Sequence, residues 1–312
     1  MNRSKPFRIG RMIAAIAATG VVGVASAQQD FSDVQIVTTD LGSGIAMLAG
    51  RGGNIAVSTG PDGALLVDDQ FAPLTDKIRA AVAKQSSAPI RFLLNTHWHG
   101  DHAGGNENFG RAGVLILAHD NVRERLSSDQ YMAAQDRHVP AAPEAAWPVV
   151  TYEDGVTLHL NGQTIEVVHV DPAHTDGDSL VRFIEADVIH TGDTFFAGRY
   201  PFIDLSSGGR IDGMIDAQER ALALASPDTR IIPGHGPVVG RAALRANREM
   251  LISVRDRVRK MVERGLDRRA VLRARPSREF DPEFGGGFML PDRFVGLVYD
   301  SLVADRYPEG KI

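Results

Sequence analysis

Residues 95–102 of the chain have the sequence NTHWHGDH, and this stretch decides the fold. Within it, three imidazoles and one carboxylate fall close together: His97, His99, Asp101 and His102. So many polar side chains cost free energy in an apolar core unless they are hydrogen-bonded or bind a cation. The apolar run at 90–94 directly precedes them and predicts a buried strand. We therefore expect the cluster on a loop at the carboxyl end of a strand, where α/β sheets usually carry functional residues.

Three more ligand-type side chains follow on separate loops, each bracketed by glycine or proline. They are His174, Asp193 and His235. Imidazole and carboxylate bind zinc, and they also bind iron and manganese. The chain has no cysteine, which excludes thiolate ligands and thiol catalysis. Together the four loops supply seven candidate metal ligands.

Seven candidate ligands are too many for a structural zinc site, which uses about four ligands and usually includes cysteine. Divided between two cations, they give each cation three or four ligands with one ligand shared. Two adjacent cations lower the pKa of a bridging water and supply a hydroxide nucleophile. Asp101 could orient that hydroxide and pass its proton to the leaving group. No G-x-S-x-G nucleophile motif is present in the sequence.

The first 27 residues are predicted to be a signal peptide. Their start carries four basic residues and no acid, residues 12–24 are small and apolar, and Ala25-Ser26-Ala27 is a typical cleavage signal. Without an Arg-Arg pair, the general secretory route is favoured over the twin-arginine route. An uncleaved membrane anchor is the alternative, although the apolar run is shorter than the ~20 residues that span a bilayer. The mature chain, 28–312, is expected to be periplasmic or secreted, with no stable membrane insertion.

The net charge of the chain indicates which kind of partner it binds. Removal of the four basic residues in 1–27 takes the formal net charge from −5 to −9. An acidic chain without a long basic block argues against a nucleic-acid partner, so we expect a small-molecule substrate. The length allows one large α/β domain or two small domains, and a hydrophobic content of 43% is sufficient for a full core. The sequence does not indicate the oligomeric state.

The predicted elements follow a coarse two-fold order. Alternation predicts a first strand at 34–37, and short strands joined by turns continue to residue 68. The first half contains strands, then a ligand loop, then helices, and the second half repeats this order. This order predicts two sheets face to face with helices outside. An apolar stripe predicts a long helix over 241–264, the start of a helical extension at about 241–312. The stretch 127–150 breaks the pattern, as either a functional segment or a surface excursion.

The spacing His97-x-His99-x-Asp101-His102 resembles the metallo-β-lactamase-fold hydrolase superfamily. The downstream candidate ligands fit its remaining motifs, which run in order from about 54 to 237. The resemblance implies an α/β fold: an αββα four-layer sandwich with two mixed β-sheets flanked by helices and the site at its edge. It also implies a ligand assignment: His97, His99 and His174 on the first metal, Asp101, His102 and His235 on the second, Asp193 bridging, and Asp68 supporting the ligands.

Asp193 narrows the function that the resemblance implies. Zinc β-lactamases of the superfamily generally have cysteine there or omit the residue, whereas the glyoxalase II and lactonase-like branch has aspartate. The implied protein is an exported dinuclear zinc hydrolase, with iron or manganese as alternatives, that cleaves an ester, thioester, lactone or related carbonyl substrate. β-Lactam hydrolysis is the leading alternative. A non-catalytic periplasmic metal-binding protein is a further one, and a nuclease or a diiron oxidoreductase is less favoured.

Several residues near the motifs have two interpretations. Asp176 and Asp178 are either turn formers or hydrogen-bond partners of the ligand histidines. Trp98 is either a pocket wall or a packing residue. Tyr200 and Phe202 are predicted to line the groove, whereas Phe195 and Phe196 are predicted to lie in the core.

Overall fold

The computed structural model describes residue 1 and residues 30–306. The chain divides into two compact units, residues 1–30 and 31–312, and all elements named below belong to the second. The predicted signal peptide lies outside the described residues, apart from Met1. Among the helices that the structure describes, none is both long enough and apolar enough to cross a bilayer.

Residues 30–306 contain fifteen β-strands and nine α-helices. The strands are β1 (Val37–Asp40), β2 (Ile45–Ala49), β3 (Ile55–Ser58), β4 (Ala64–Val67), β5 (Ile90–Leu94), β6 (Leu115–His119), β7 (Gln130–Met132), β8 (Arg137–Val139), β9 (Val150–Tyr152), β10 (Gly155–Leu160), β11 (Gln163–His169), β12 (Ser179–Phe183), β13 (Val188–His190), β14 (Arg230–Ile232) and β15 (Val239–Gly240). The helices are α1 (Thr75–Ala83), α2 (Gly100–Ala103), α3 (Asn106–Arg111), α4 (Asp120–Leu126), α5 (Ile211–Leu224), α6 (Arg241–Glu263), α7 (Arg268–Ala274), α8 (Asp281–Phe284) and α9 (Pro291–Arg306).

The strands form two large mixed sheets and one small hairpin. The first sheet has the order β1-β2-β3-β4-β5-β6-β9, and the second has the order β10-β11-β12-β13-β14-β15. Strands β4, β5, β6 and β9 are parallel neighbours, as are β13 and β14, whereas the other pairs in these sheets are antiparallel. Parallel neighbours need a crossover connection, and α1 supplies it between β4 and β5. Strands β7 and β8 pair with each other as a separate hairpin.

Apolar side chains join these elements into four layers. Successive residues of a strand point to opposite faces of its sheet. In β4, Leu65 faces the core between the two sheets, whereas Leu66 faces α1 and packs in one cluster with Ile78. In β12, Val181 faces the same central core, whereas Leu180 packs in the cluster formed by α5, α6 and α9. The order helix, sheet, sheet, helix is the αββα sandwich predicted from the sequence.

The first strand starts later than its sequence predicts. Alternation predicts a strand at 34–37, but β1 is Val37–Asp40 and pairs with β2 from Val37 onward. The Lys77 ammonium of α1 donates hydrogen bonds to the backbone carbonyls of Phe31, Ser32 and Val34, at 2.9, 2.5 and 2.8 Å. This segment therefore satisfies its polar backbone atoms on a helix and does not extend the sheet.

The carboxyl-terminal helices follow the predicted amphipathic pattern. Helix α6 buries an apolar stripe that includes Leu244, Leu251, Val254 and Val258. Burial of each such side chain contributes about 1.5–3 kcal/mol to the free energy of unfolding. The stripe packs in one cluster with residues of α5 and α9, so these helices form one outer layer on the second sheet.

The segment 127–150 combines the β7–β8 hairpin with short helical turns, and most of its side chains up to 145 are exposed or partly exposed. Several hydrogen bonds attach it to α3 and α4. The Ala142 amide donates to the Leu126 carbonyl at 2.8 Å, and the Asn106 side-chain amide donates to the Ala146 carbonyl at 2.9 Å. The segment therefore lies at the surface and covers one side of α2, α3 and α4.

Candidate metal centre

Four loops at one edge of the two sheets bring the seven predicted ligands together. His97 and His99 lie between β5 and α2, and Asp101 and His102 lie within α2. The other three lie on the second sheet's loops: His174 between β11 and β12, Asp193 just after β13, and His235 just after β14. Glycine is required where these loops touch, because an added Cβ at Gly234 would collide with the Asp193 carboxylate.

The first group of converging side chains is His97, His99 and His174. Each offers one ring nitrogen, and these atoms all lie within 4.8 Å of one another. His99 Nδ1 lies 2.8 Å from His174 Nε2. All three residues are buried, so water does not surround these rings.

The second group is Asp101, His102 and His235, whose ligand atoms also lie within 4.8 Å of one another. His235 Nε2 lies 3.4 Å from His102 Nε2 and 3.3 Å from Asp101 Oδ2. The Asp101 side chain is 31% exposed and that of His235 is 20% exposed. This group therefore forms the side of the centre that a substrate can reach.

Asp193 lies between the two groups. Its Oδ2 is 3.5 Å from His174 Nε2 and 4.0 Å from His97 Nε2. Its Oδ1 is 3.0 Å from His102 Nε2 and 3.4 Å from His235 Nε2. One carboxylate thus presents a different oxygen to each group.

Hydrogen bonds on the outer side of the rings determine which nitrogens face inward with a lone pair. Three rings direct an outer nitrogen to an acceptor oxygen: His99 Nε2 to Asp204 Oδ2 at 3.0 Å, His102 Nδ1 to Asp68 Oδ2 at 2.7 Å, and His174 Nδ1 to the Phe202 carbonyl at 2.8 Å. Each acceptor assigns the N–H to the outer nitrogen, so the inner nitrogen of the neutral ring carries a lone pair.

The lone pairs on the inner ring nitrogens indicate whether a metal ion fits this site. The lone pairs of His99 Nδ1 and His174 Nε2 face each other across 2.8 Å, which is repulsive unless a positive charge lies near them. His97 Nε2 is buried and has no hydrogen-bond partner within the described part of the chain. An unpaired buried polar atom costs about 1–3 kcal/mol. These residues therefore fit a cation, which would satisfy the lone pairs and balance the carboxylates.

Burial and the local charges divide the histidines into two kinds. Burial lowers the pKa of His97 well below its usual value, and the nearby His102 and His174 lower it further. Burial also lowers the pKa of His99, despite its hydrogen bond to Asp204. Both rings are thus neutral at pH 7, the state in which imidazole binds a metal.

The opposite side of the centre attracts positive charge. Burial alone would lower the pKa of His102, but the carboxylates of Asp193, Asp68 and Asp101 raise it well above its usual value. Burial would also lower the pKa of His235, but the carboxylates of Asp193 and Asp101 outweigh it and raise this pKa to about 9. A proton and a dication compete for these nitrogens, so metal binding releases protons.

Aromatic side chains form part of the wall of the centre. The Phe202 ring lies stacked near His99 with centroids 6.1 Å apart, as the prediction for the groove required. Phe196 is buried in the core cluster, as predicted, and its ring also stacks on His235 at 5.2 Å. The prediction for Tyr200 was wrong. Its ring is buried against Phe294 at 4.5 Å, and its hydroxyl donates to the Ser277 carbonyl and to Asp281 of α8.

Besides Asp68, two more buried carboxylates support the loops of the centre, and one of them was not predicted from the sequence. Asp178 accepts hydrogen bonds from the backbone amides of His174 and Thr175, at 2.6 and 2.9 Å, so it forms the turn that carries His174 and combines its two predicted roles. Asp204 was not predicted. Its only sequence signal is that of a turn, since it also accepts from the Ser206 amide and hydroxyl as the cap of a short helical turn.

A four-layer αββα sandwich with a histidine–aspartate cluster at one edge defines the class of protein to which this chain belongs. The sequence model of the metallo-beta-lactamase superfamily matches residues 48–235, which is more than half of the chain. The chain is therefore a member of that superfamily.

Curated relatives and solved structures agree with this assignment. A hydroxyacylglutathione hydrolase of Nitrosococcus oceani is 30% identical over 182 residues, which cover 57% of this chain and 60% of the relative. The acyl-coenzyme A thioesterase MBLAC2 of Bos taurus is 25% identical over 177 residues, which cover 52% of this chain and 62% of the relative. The chain thus spans about three-fifths of the length of these relatives. The metallo-beta-lactamase from Pontibacter korlensis superposes with a TM-score of 0.57 at 19% identity, over 70% of this chain and 99% of that protein, and shows the shared fold.

Proposed function

We propose that the chain is a dinuclear metal-dependent hydrolase that cleaves a carboxylic ester, thioester or lactone. In this proposal His97, His99 and His174 hold one divalent cation. Asp101, His102 and His235 hold the second, and Asp193 bridges the two. The observation that carries the proposal is the position of Asp193, whose two carboxylate oxygens face the two groups separately. A bridging carboxylate holds two cations close enough to act on one carbonyl.

The names of the relatives support thioesters as the first substrates to test. One relative is named as a hydroxyacylglutathione hydrolase and another as an acyl-coenzyme A thioesterase. Both names describe cleavage of an acyl group from a thiol carrier. The match covers only part of each relative, so the thiol carrier itself is left open in the proposal.

The residues of the centre have distinct tasks in the proposed reaction. When bound, two divalent cations supply an acidified water as nucleophile at neutral pH and polarise the substrate carbonyl. Although burial opposes it, the charge of His102 and a hydrogen bond to His235 lower the pKa of Asp101, so this residue is an anion at pH 7. The carboxylate of Asp101 is 31% exposed, so it can accept the proton of the attacking water and return it to the leaving oxygen or sulfur. Phe196 and Phe202 limit water around the reacting groups.

The cation in this proposal is zinc, with iron and manganese as alternatives. Five imidazoles and two carboxylates, without thiolates, form a borderline ligand set that suits zinc. The seven ligands provide three or four for each of two ions when Asp193 is shared. The expected content is therefore two cations per chain.

Export is a separate part of the proposal. The basic start, the apolar stretch and the Ala25-Ser26-Ala27 signal of the sequence support cleavage after residue 27 and a periplasmic or secreted location. Mass spectrometry of the protein purified from a periplasmic fraction would give a mature terminus at Gln28. A full-length protein retained in the cytoplasm would contradict export without affecting the proposed chemistry.

The experiment that tests the activity combines metal analysis with a substrate screen. Metal content per chain is measured on the mature protein. Hydrolysis is then measured for acyl thioesters, aryl esters, acyl lactones and nitrocefin, before and after chelation and zinc reload. The expected result is about two cations per chain and zinc-restored turnover of a thioester, ester or lactone.

Each alternative has its own signature in this screen. Rapid nitrocefin turnover without esterase or thioesterase activity would replace the proposal with a β-lactamase. Two tightly held cations with no turnover of any compound would favour a metal-binding protein without catalysis. A chain that binds no divalent cation would contradict the whole assignment.

A further inference from the structure

A cavity beside the first ligand loop is formed by residues outside the seven proposed ligands. It has a volume of about 180 Å³ and lies between α2, α4 and the excursion at 137–146. Its lining is mainly apolar and includes Leu126, Val139 and Ala142. An apolar cavity of about 150 Å³ holds a six-carbon ring such as benzene, so this one can hold an organic group of similar size.

The cavity adjoins the candidate metal centre through the residues that flank His99. Trp98 and Gly100 both line it, and the Trp98 ring lies 4.9 Å from the His99 ring. Gly100 is exposed, and nothing lies within 4 Å of the place that its Cβ would occupy. Gly100 lies between the proposed ligands His99 and Asp101 in the sequence and also lines the cavity, so the cavity begins at the rim of the metal centre.

Two of the three charged side chains that line the cavity are already paired. Glu107 accepts from Arg111, with Nη2–Oε1 at 2.6 Å. Arg125 forms a two-point pair with Asp176, in which its Nε and Nη2 donate at 2.7 and 2.6 Å. These two pairs leave no net charge on the cavity wall.

The third charged side chain is Arg137 of β8. Its guanidinium donates to the Met132 sulfur at 3.0 Å, and no carboxylate of residues 30–306 pairs with it. A thioether is a weak acceptor, so this cation keeps most of its capacity for an anion. A guanidinium binds carboxylate better than other common side chains because its two N–H groups match the two oxygens.

We propose that this cavity binds a short apolar arm of the substrate that ends in a carboxylate, with Arg137 as the residue that selects the charge. The acyl carbonyl lies at the metal centre, and the arm passes Gly100 into the cavity. The inference deepens the proposed hydrolase function and rests on it for the identity of the occupant. The pocket itself does not depend on the reaction.

The kinetic test compares matched esters on the zinc-loaded protein. The substrates are p-nitrophenyl hexanoate and the mono-p-nitrophenyl half-esters of succinic, adipic and suberic acids. The wild-type protein is expected to prefer one charged half-ester over the neutral ester in kcat/KM. Arg137→Gln is expected to lower that preference about fivefold, mainly through KM. The control Arg278→Gln removes an exposed arginine that does not line the cavity, and it should keep the wild-type preference.

A binding test separates failure of the pocket from failure of the proposed function. Titration calorimetry with hexanoate is run on the wild-type protein, Arg137→Gln and Ala142→Leu, which fills the cavity. Both variants are expected to weaken hexanoate binding about fivefold, whether or not any ester is hydrolysed. Hexanoate that binds all three proteins equally is bound elsewhere, for example at the metal centre itself, and this result overturns the proposal. A charge preference that survives Arg137→Gln also overturns it.

Discussion

Asp204 Oδ2 lies 3.0 Å from His99 Nε2 and fixes the orientation of that ring. The carboxylate is held in turn, because the Ser207 hydroxyl donates to the same oxygen at 2.6 Å and the Trp98 indole donates to Ser207 at 3.1 Å. Partners of this kind keep a metal-binding histidine in one tautomer and make it a stronger base. Trp98 thus contributes to the order of the centre as well as to the cavity wall.

The first prediction concerns Asp204→Asn. The substitution removes the negative charge behind His99 but keeps an oxygen of similar size, and we expect zinc affinity to fall by about tenfold. Competition with a chromophoric chelator measures this affinity directly. Asp216→Asn, on the exposed face of α5, is the matched control and should bind zinc as the wild-type protein does. Unaltered zinc affinity in Asp204→Asn would remove this residue from the assignment.

The second prediction concerns Asp193→Asn. An amide offers one oxygen in place of two equivalent ones, so it cannot serve both groups. We expect metal content to fall from about two cations per chain to about one, and kcat to fall by about a hundredfold or more. Metal analysis of the purified variant is decisive. Two cations per chain in this variant would show that Asp193 does not bridge.

The third prediction concerns the anchoring of the loop at 195–204. Tyr200 stacks on Phe294 of α9 at 4.5 Å, and the Phe294 side chain is fully buried. Phe294→Ala leaves a cavity there and should lower the free energy of unfolding by about 3–5 kcal/mol. Urea titration measures the change. The control Phe288→Ala removes a ring that is 65% exposed and should change stability by less than about 0.5 kcal/mol.

The fourth prediction concerns the pH dependence of stability. The His119 ring stacks on His169 at 3.7 Å, and burial together with the charge of His169 lowers the pKa of His119, although Asp120 and Asp176 oppose this. The unfolded chain takes up this proton near pH ~6.5, whereas the folded chain resists it. His119 therefore stabilises the fold above that pH, and its contribution is lost as the pH falls.

His119→Asn isolates this contribution, because asparagine can still accept the Asn121 amide at the start of α4, as His119 Nδ1 does at 3.1 Å. Denaturant titrations of both metal-free proteins at pH 7.5 and 5.5 give the comparison. The loss of stability between the two pH values should be smaller in the variant. An equal loss in both proteins would contradict the assignment of the effect to His119.

The convergence of the seven candidate ligands could be predicted from the sequence because it depends on local features. Each candidate lies in the connection that follows a strand, and the strands are short apolar runs bounded by turn residues. The hairpin at Asn161-Gly162 was also predictable, since both residues adopt the positive φ, 57° and 71°, that such turns require. Because the candidate ligands of both halves of the chain must meet at one edge, the two sheets must pack face to face, and this packing is the sandwich.

The supporting residues could not be predicted in the same way. Asp204 reaches His99 only because the chain between Phe195 and Asp204 folds back over the centre. That path depends on Tyr200, whose ring contacts a helix more than ninety positions later in the sequence. The cavity at Arg137 likewise depends on how the 127–150 excursion packs on α2 and α4. No local pattern encodes such contacts.

The contact between Tyr200 and α9 links the far end of the chain to the metal centre. The loop that Tyr200 anchors also carries the Phe202 carbonyl behind His174 and the Asp204 carboxylate behind His99. Any ligand that binds only the ordered form of this loop also stabilises the docking of α9. Metal occupancy and protease resistance of the carboxyl-terminal helices should therefore rise and fall together, so limited proteolysis at the 285–290 loop can report on metal binding without any substrate.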